Sequence, residues 1–90
     1  MKPRISQRAW DAISEYARHD LSYRNSHIAR KARSEAWTEG RDAKSLGNAI
    51  NPYRRALKAV ADPESQTVLR TLAECWDRGF VSAVTGSAEG

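Results

Sequence analysis

Ala36-Trp37-Thr38-Glu39-Gly40-Arg41-Asp42-Ala43, a polar bridge, then Asn51-Pro52-Tyr53: the reading of this stretch decides the fold. It has the pattern of a basic helix nearing its end, a loop, and the capped start of another helix. A glycine inside a helix costs about 1 kcal/mol relative to alanine, so Gly40 implies a packing reason: the close approach of a second helix. Trp76-Asp77-Arg78-Gly79-Phe80-Val81-Ser82-Ala83 repeats the device: a wide aromatic, one turn, then a notch. A tryptophan on one helix laid over the glycine notch of the other would join the two. The alternative is that both tryptophans are simply core, the plainer account of Trp76. Trp37 differs because it shares its stripe with four cations.

Outward from Trp37, the helix extends from about Ser26 to Lys44 or Ser45, capped by Asn25 or Ser26 and stopped by Gly47 in a left-handed conformation. At helical spacing it has three faces. Ala29, Ala32, Ala36, Gly40 and Ala43 form a stripe of small residues. Beside it run Arg30, Arg33, Trp37, Arg41 and Lys44, and opposite lie Glu35, Glu39 and Asp42. Upstream, Ile5, Ala9, Ile13, Tyr16 and Ala17 give one face of a helix over 6–18 with Ser6 as N-cap, ending near His19 and Asp20. Downstream, Asn51 as N-cap and Pro52 at the first helical position open a short helix over 52–61. Asp62-Pro63-Glu64 repeats that signal and opens a last helix over about 63–84. Its apolar face is Val68, Leu69, Leu72, Cys75, Trp76, Phe80 and Ala83. Thr85 to Gly90 reads as a disordered polar tail. No segment alternates with period two. The expected architecture is a small all-α domain of three to four helices, two of them bearing the Trp/Gly pairs and packed at their glycine notches.

Ninety residues, 40% hydrophobic and 29% charged, make one globular domain and exclude a disordered chain or a membrane protein. The hydrophobic share leans on alanine, so the core is thin and a homodimer would be one way to bury more surface. Net charge is +4, but unevenly spread. Residues 1–58 hold thirteen Lys/Arg against six Asp/Glu, and residues 59–90 hold two against five. The first two-thirds of the chain thus favours a polyanion, and the last third does not. With Cys75 as the only cysteine there is no intrachain disulfide, which fits a reducing compartment. Met1-Lys2-Pro3-Arg4 is followed by no apolar run, so no signal peptide is expected, and no stretch has the length of a membrane span. A cytoplasmic protein is the expectation.

The combination Trp37, Gly40, Gly47, Asn51-Pro52-Tyr53 and Trp76-x-x-Gly79-Phe80-x-x-Ala83 resembles the ribosome modulation factor family, including its phage-borne and CrpP-like relatives. The resemblance covers residues 36–53 and 75–84. It departs from the compact members in two places. The interval from Tyr53 to Trp76 is longer by most of a helix, and residues 1–25 have no counterpart. The implied organisation is an N-terminal helical extension over 1–25, a family-like core over 26–85 with an inserted helix near 52–61, and a disordered tail over 86–90. What the resemblance implies about function is a small basic protein that sits on the small ribosomal subunit. Members contact ribosomal RNA near the messenger path and silence ribosomes in a paired, dormant state. One branch has been described as an ATP-dependent drug-modifying enzyme; no catalytic residue is carried over from it.

The residues themselves point to nucleic acid. Arg30, Arg33, Arg41 and Lys44 span about three helical turns, on the order of 20 Å, which suits a phosphate backbone better than a compact anion. Arg54, Arg55 and Lys58 form a second cluster beside a helix start whose free N–H groups favour phosphate. Either cluster alone could be a solvated charged face; both flanking one loop favours binding. Tyr53 either stacks on an unpaired base or packs under the Pro52 turn; the resemblance favours packing, with the arginines making the contacts. His19 and His27 are eight apart, Cys75 lies in a hydrophobic register, and there is no metal-ligand spacing, phosphate loop or nucleophile triad. Glu35, Glu39 and Asp42 could hold Mg²⁺, but a solvated face with pairs along the helix accounts for them more simply. No enzyme activity, cofactor or metal is expected. The leading expectation is an RNA-binding protein of the small ribosomal subunit that modulates translation. The alternative is a phage-type inhibitor contacting a host protein. A small-molecule phosphotransferase comes third, with no phosphate-transfer motif behind it.

Overall fold

The computed structural model describes residues 5–18 and 27–89, and every regular element among them is helical. The elements are α1 (Gln7–Arg18), α2 (His27–Ser45), α3 (Pro52–Ala59) and α4 (Pro63–Glu89). The predicted caps Asn25 and Ser26, together with His19, Asp20 and the connection between them, lie outside the described residues. No helix is long and apolar enough to cross a membrane.

Local chemistry sets the helix ends. Ser6 caps α1, its hydroxyl oxygen accepting from the Ala9 N–H at 3.2 Å. Gly47, the only described residue with positive φ (71°), stops α2. Around it the Asn48 N–H donates to the Ala43 carbonyl at 2.9 Å and the Gly47 N–H to the Lys44 carbonyl at 3.2 Å, the bond pair of a Schellman motif. Asn51 caps α3, accepting from the Tyr53 and Arg54 N–H groups, with Pro52 in the first turn. α3 ends at Ala59, two residues short of the predicted limit, and Val60 after it is extended. Asp62 then caps α4, accepting from the Ser65 N–H at 3.0 Å. The helix continues to Glu89 where a polar tail over 86–90 was expected. The stretch has no proline, and among its described residues no glycine is left-handed to stop it.

The organising contact is the crossing of α2 and α4. A Cβ built on Gly40 would overlap the Trp76 carbonyl, 2.8 Å from its carbon. One built on Gly79 would overlap the Trp37 carbonyl, also 2.8 Å from the carbon. The pairing is reciprocal, Gly40 on Trp76 and Trp37 on Gly79, so the helices run antiparallel with backbones touching. The occupant of each notch is the carbonyl of the opposite tryptophan, not its ring as the sequence suggested. This is the geometry of Cα–H···O contacts between closely packed helices. The Trp76 ring is instead buried in the core and stacked on Phe80 at 5.4 Å.

Ala29, Ala32, Ala36, Gly40 and Ala43 are all buried, as the small-residue stripe predicts. Tyr53, Val68, Leu69 and Leu72 are the largest fully buried side chains. Most of the other core positions are alanines, and the molecule measures only 17 Å in its thinnest direction. α1 packs on α2 and α4, and α3 packs on α4.

Gly40→Ala and Gly79→Ala should each destabilise the fold by about 2 kcal/mol or more, because overpacking against backbone outweighs the gain in helix propensity. The double variant should cost clearly less than the sum of the singles, since either methyl group already separates the helices. Urea unfolding of the four proteins measures this; strict additivity would contradict a shared contact.

Candidate nucleic-acid interface

The two flanks of α2 have different surroundings. On the acidic flank, Glu35 accepts an ion pair from Arg8 of α1 at 3.1 Å, and Glu39 accepts a hydrogen bond from the Tyr53 hydroxyl of α3. One Glu35 carboxylate oxygen, Oε1, is buried without a hydrogen-bond partner. Burial pushes the Glu39 carboxyl above its ordinary range; the Tyr53 bond opposes this and the neighbouring Glu35 charge adds to it. Burial, followed by the Glu39 bond, likewise raises the Tyr53 hydroxyl. The expectation of a solvated Glu35/Glu39/Asp42 face is therefore corrected for the first two, which hold α1 and α3 in place. Asp42 alone is exposed, paired with Arg41 at 3.6 Å. Among the described residues no group of three His, Cys, Asp or Glu could hold a metal.

The basic flank looks outward. Arg30, Arg41 and Lys44 are exposed, and Arg33 is half-buried. Arg41 places its guanidinium 5.5 Å from the centre of the Trp37 ring, which is itself partly exposed. From α4, Arg78 joins this side: Cys75, whose thiol is pushed up by burial, feels the opposing charges of both Arg33 and Arg78. Sequence reasoning placed Arg78 in no cluster. Arg78 stands next to Gly79, and the antiparallel register that brings it alongside α2 becomes visible only once Gly40 and Gly79 are paired.

The second predicted cluster is divided. Arg55 and Lys58 are exposed on α3. Arg54 is committed: its Nε donates to Asp77 of α4 at 3.0 Å, and its Nη2 pairs with the same carboxylate oxygen. Asp77 also accepts from Asn51 Nδ2 at 3.0 Å, and that nitrogen donates to the Ala73 carbonyl at 2.9 Å. Arg54 thus belongs to the cap that docks α3. Tyr53 is 1% exposed and cannot stack on a base, so its packing reading holds and its place among RNA contacts is withdrawn. Tyr53 of α3 reaches Glu39 of α2 and Arg54 is held by Asp77, so of the second cluster Arg55 and Lys58 are the exposed cations outside the α3 cap. The partly exposed aromatic amid cations is Trp37.

No family model, curated protein or solved structure matches the chain.

A carboxyl with a raised folded-state pKa holds its proton to higher pH in the native state than in the unfolded chain. Its contribution to stability is therefore greatest below the unfolded value of 4.5 and declines as pH rises through the folded one. Glu39→Gln keeps an acceptor for Tyr53 and removes the titration. The stability of this variant relative to the parent should rise between pH 4.5 and pH 7, followed by urea midpoints across that window. Parallel pH profiles would show that Glu39 is not the group responsible.

Proposed function

We propose that the protein binds RNA through the outward flank of α2 and acts on the small ribosomal subunit as a modulator of translation. The observation that supports this reading is the exposed stripe Arg30, Arg41 and Lys44, with Arg33 beside it and the Trp37 ring set among them under Arg41. Cations spaced along a helix match successive phosphates. A partly exposed indole beside those cations can stack on an unstacked base, which together is the grip used on single-stranded nucleic acid. Of the acidic flank, Glu35 and Glu39 are engaged by α1 and α3 and the exposed Asp42 is paired with Arg41, which lessens the repulsion of an approaching polyanion. The motif resemblance to ribosome modulation factors supplies the ribosome as the RNA source and the cytoplasm as the place of action. The role is binding, with no chemical step.

If about four phosphates are engaged on single-stranded RNA, affinity should fall with salt at a log–log slope near −3. Arg30→Ala/Arg41→Ala/Lys44→Ala should bring that slope to about −1 and abolish co-sedimentation with small subunits, while the helical signal stays unchanged. A folded triple variant that still travels with subunits would remove the α2 face from the function.

A further inference from the structure

The loop joining α2 to α3 is the least covered part of the described chain and also one of its best-tied segments. Every residue from Lys44 to Ile50 is exposed. Leu46 is 81% and Ile50 57% exposed, two of the three large hydrophobic side chains so presented among the described residues. Four hydrogen bonds fix the backbone that carries them. The Leu46 N–H donates to the Asp42 carbonyl at 3.1 Å, and the Schellman pair closes Gly47 and Asn48. The Ile50 N–H then donates to the Asn48 side-chain oxygen at 3.1 Å. Asn51, buried and bonded on both sides, anchors the far end. The two aliphatic groups are thus held out in a set geometry, which keeps the ordering cost of engaging them low.

The surroundings identify the occupant. From Ala43 to Ala61 the chain has no Asp or Glu and four cations; Arg54 is taken up by Asp77 of α4, which leaves Lys44, Arg55 and Lys58 exposed. Two aliphatic groups with a basic border complement an apolar pocket with an acidic rim. Nucleic acid would use the cations but not Leu46 and Ile50, and the loop carries no aromatic ring to stack on a base, since Tyr53 is buried.

We propose that the Leu46–Ile50 loop docks into an apolar, acid-rimmed pocket of a protein standing beside the bound RNA on the small ribosomal subunit, so that α2 grips RNA while the loop selects its protein neighbour. The inference rests on the ribosomal reading above for the location of that protein.

The test compares the full-length protein and Leu46→Ser/Ile50→Ser on two probes, intact small ribosomal subunits and the protein-free RNA extracted from them. Both residues are exposed, so the variant keeps the parent's helical signal and thermal midpoint. The expected result is at least about a tenfold loss of affinity on intact subunits, the usual scale when a pair of apolar anchors is removed, with no change on the bare RNA. Equal affinity of variant and parent on intact subunits overturns the proposal and leaves the RNA reading standing. An equal loss on both probes also overturns it, by assigning the loop to RNA. Loss of self-association in the variant with subunit binding intact assigns the loop to a second copy of the chain instead. Failure of the parent to bind either probe overturns the ribosomal reading and this inference together.

Discussion

Two helix backbones in direct contact are the constraint on which the rest of this structure depends. Gly40 and Gly79 give up their side chains to the carbonyls of Trp76 and Trp37, and the alanine stripe of α2 then meets α4 along its length. At the usual spacing of 8–10 Å between helix axes, faces made of alanine would leave voids. Close approach restores the dense atomic contact that larger side chains provide elsewhere. A chain with so few bulky residues gains its cohesion by proximity.

That crossing also sorts the charges. Once the small-residue face of α2 is fixed against α4, its acidic flank must turn to one side and its basic flank to the other. Glu35 and Glu39 of the acidic side become internal architecture through Arg8–Glu35 and Tyr53–Glu39, Asp42 alone staying exposed; the basic side is left to the surroundings. Charge asymmetry along the chain is therefore only loosely related to charge asymmetry over the surface. Arg54, counted among the excess cations of the first two-thirds, is matched by Asp77 from the acidic last third.

Elements governed by local chemistry were legible beforehand. Asn51-Pro52, Asp62-Pro63 and Gly47 mark boundaries because cap and stop residues act within one turn of themselves. The glycine notches were legible too, since an interior glycine asks for an explanation and close packing is the commonest one. What lay hidden depends on partners far along the chain. Asp77 meets Arg54 across twenty-three positions and Glu39 meets Tyr53 across fourteen, and no periodicity announces either. The occupant of each notch was hidden as well, because side-chain patterns describe rings and say nothing of carbonyls. At the C-terminal end, small polar composition suggested a tail, yet composition alone does not stop a helix without a residue that breaks it.

Asn51 does two jobs with one amide. Its oxygen starts α3, and its nitrogen is spent on Ala73 and Asp77 in the middle of α4. Eight residues are too few to hold a helix in water unaided. The shortest helix of the protein thus borrows its nucleus from a surface that exists only when α4 is already alongside. During synthesis, Pro52–Ala59 is polymerised before Ala73 and Asp77, so its first turn is secured only once those residues have followed and α4 has formed.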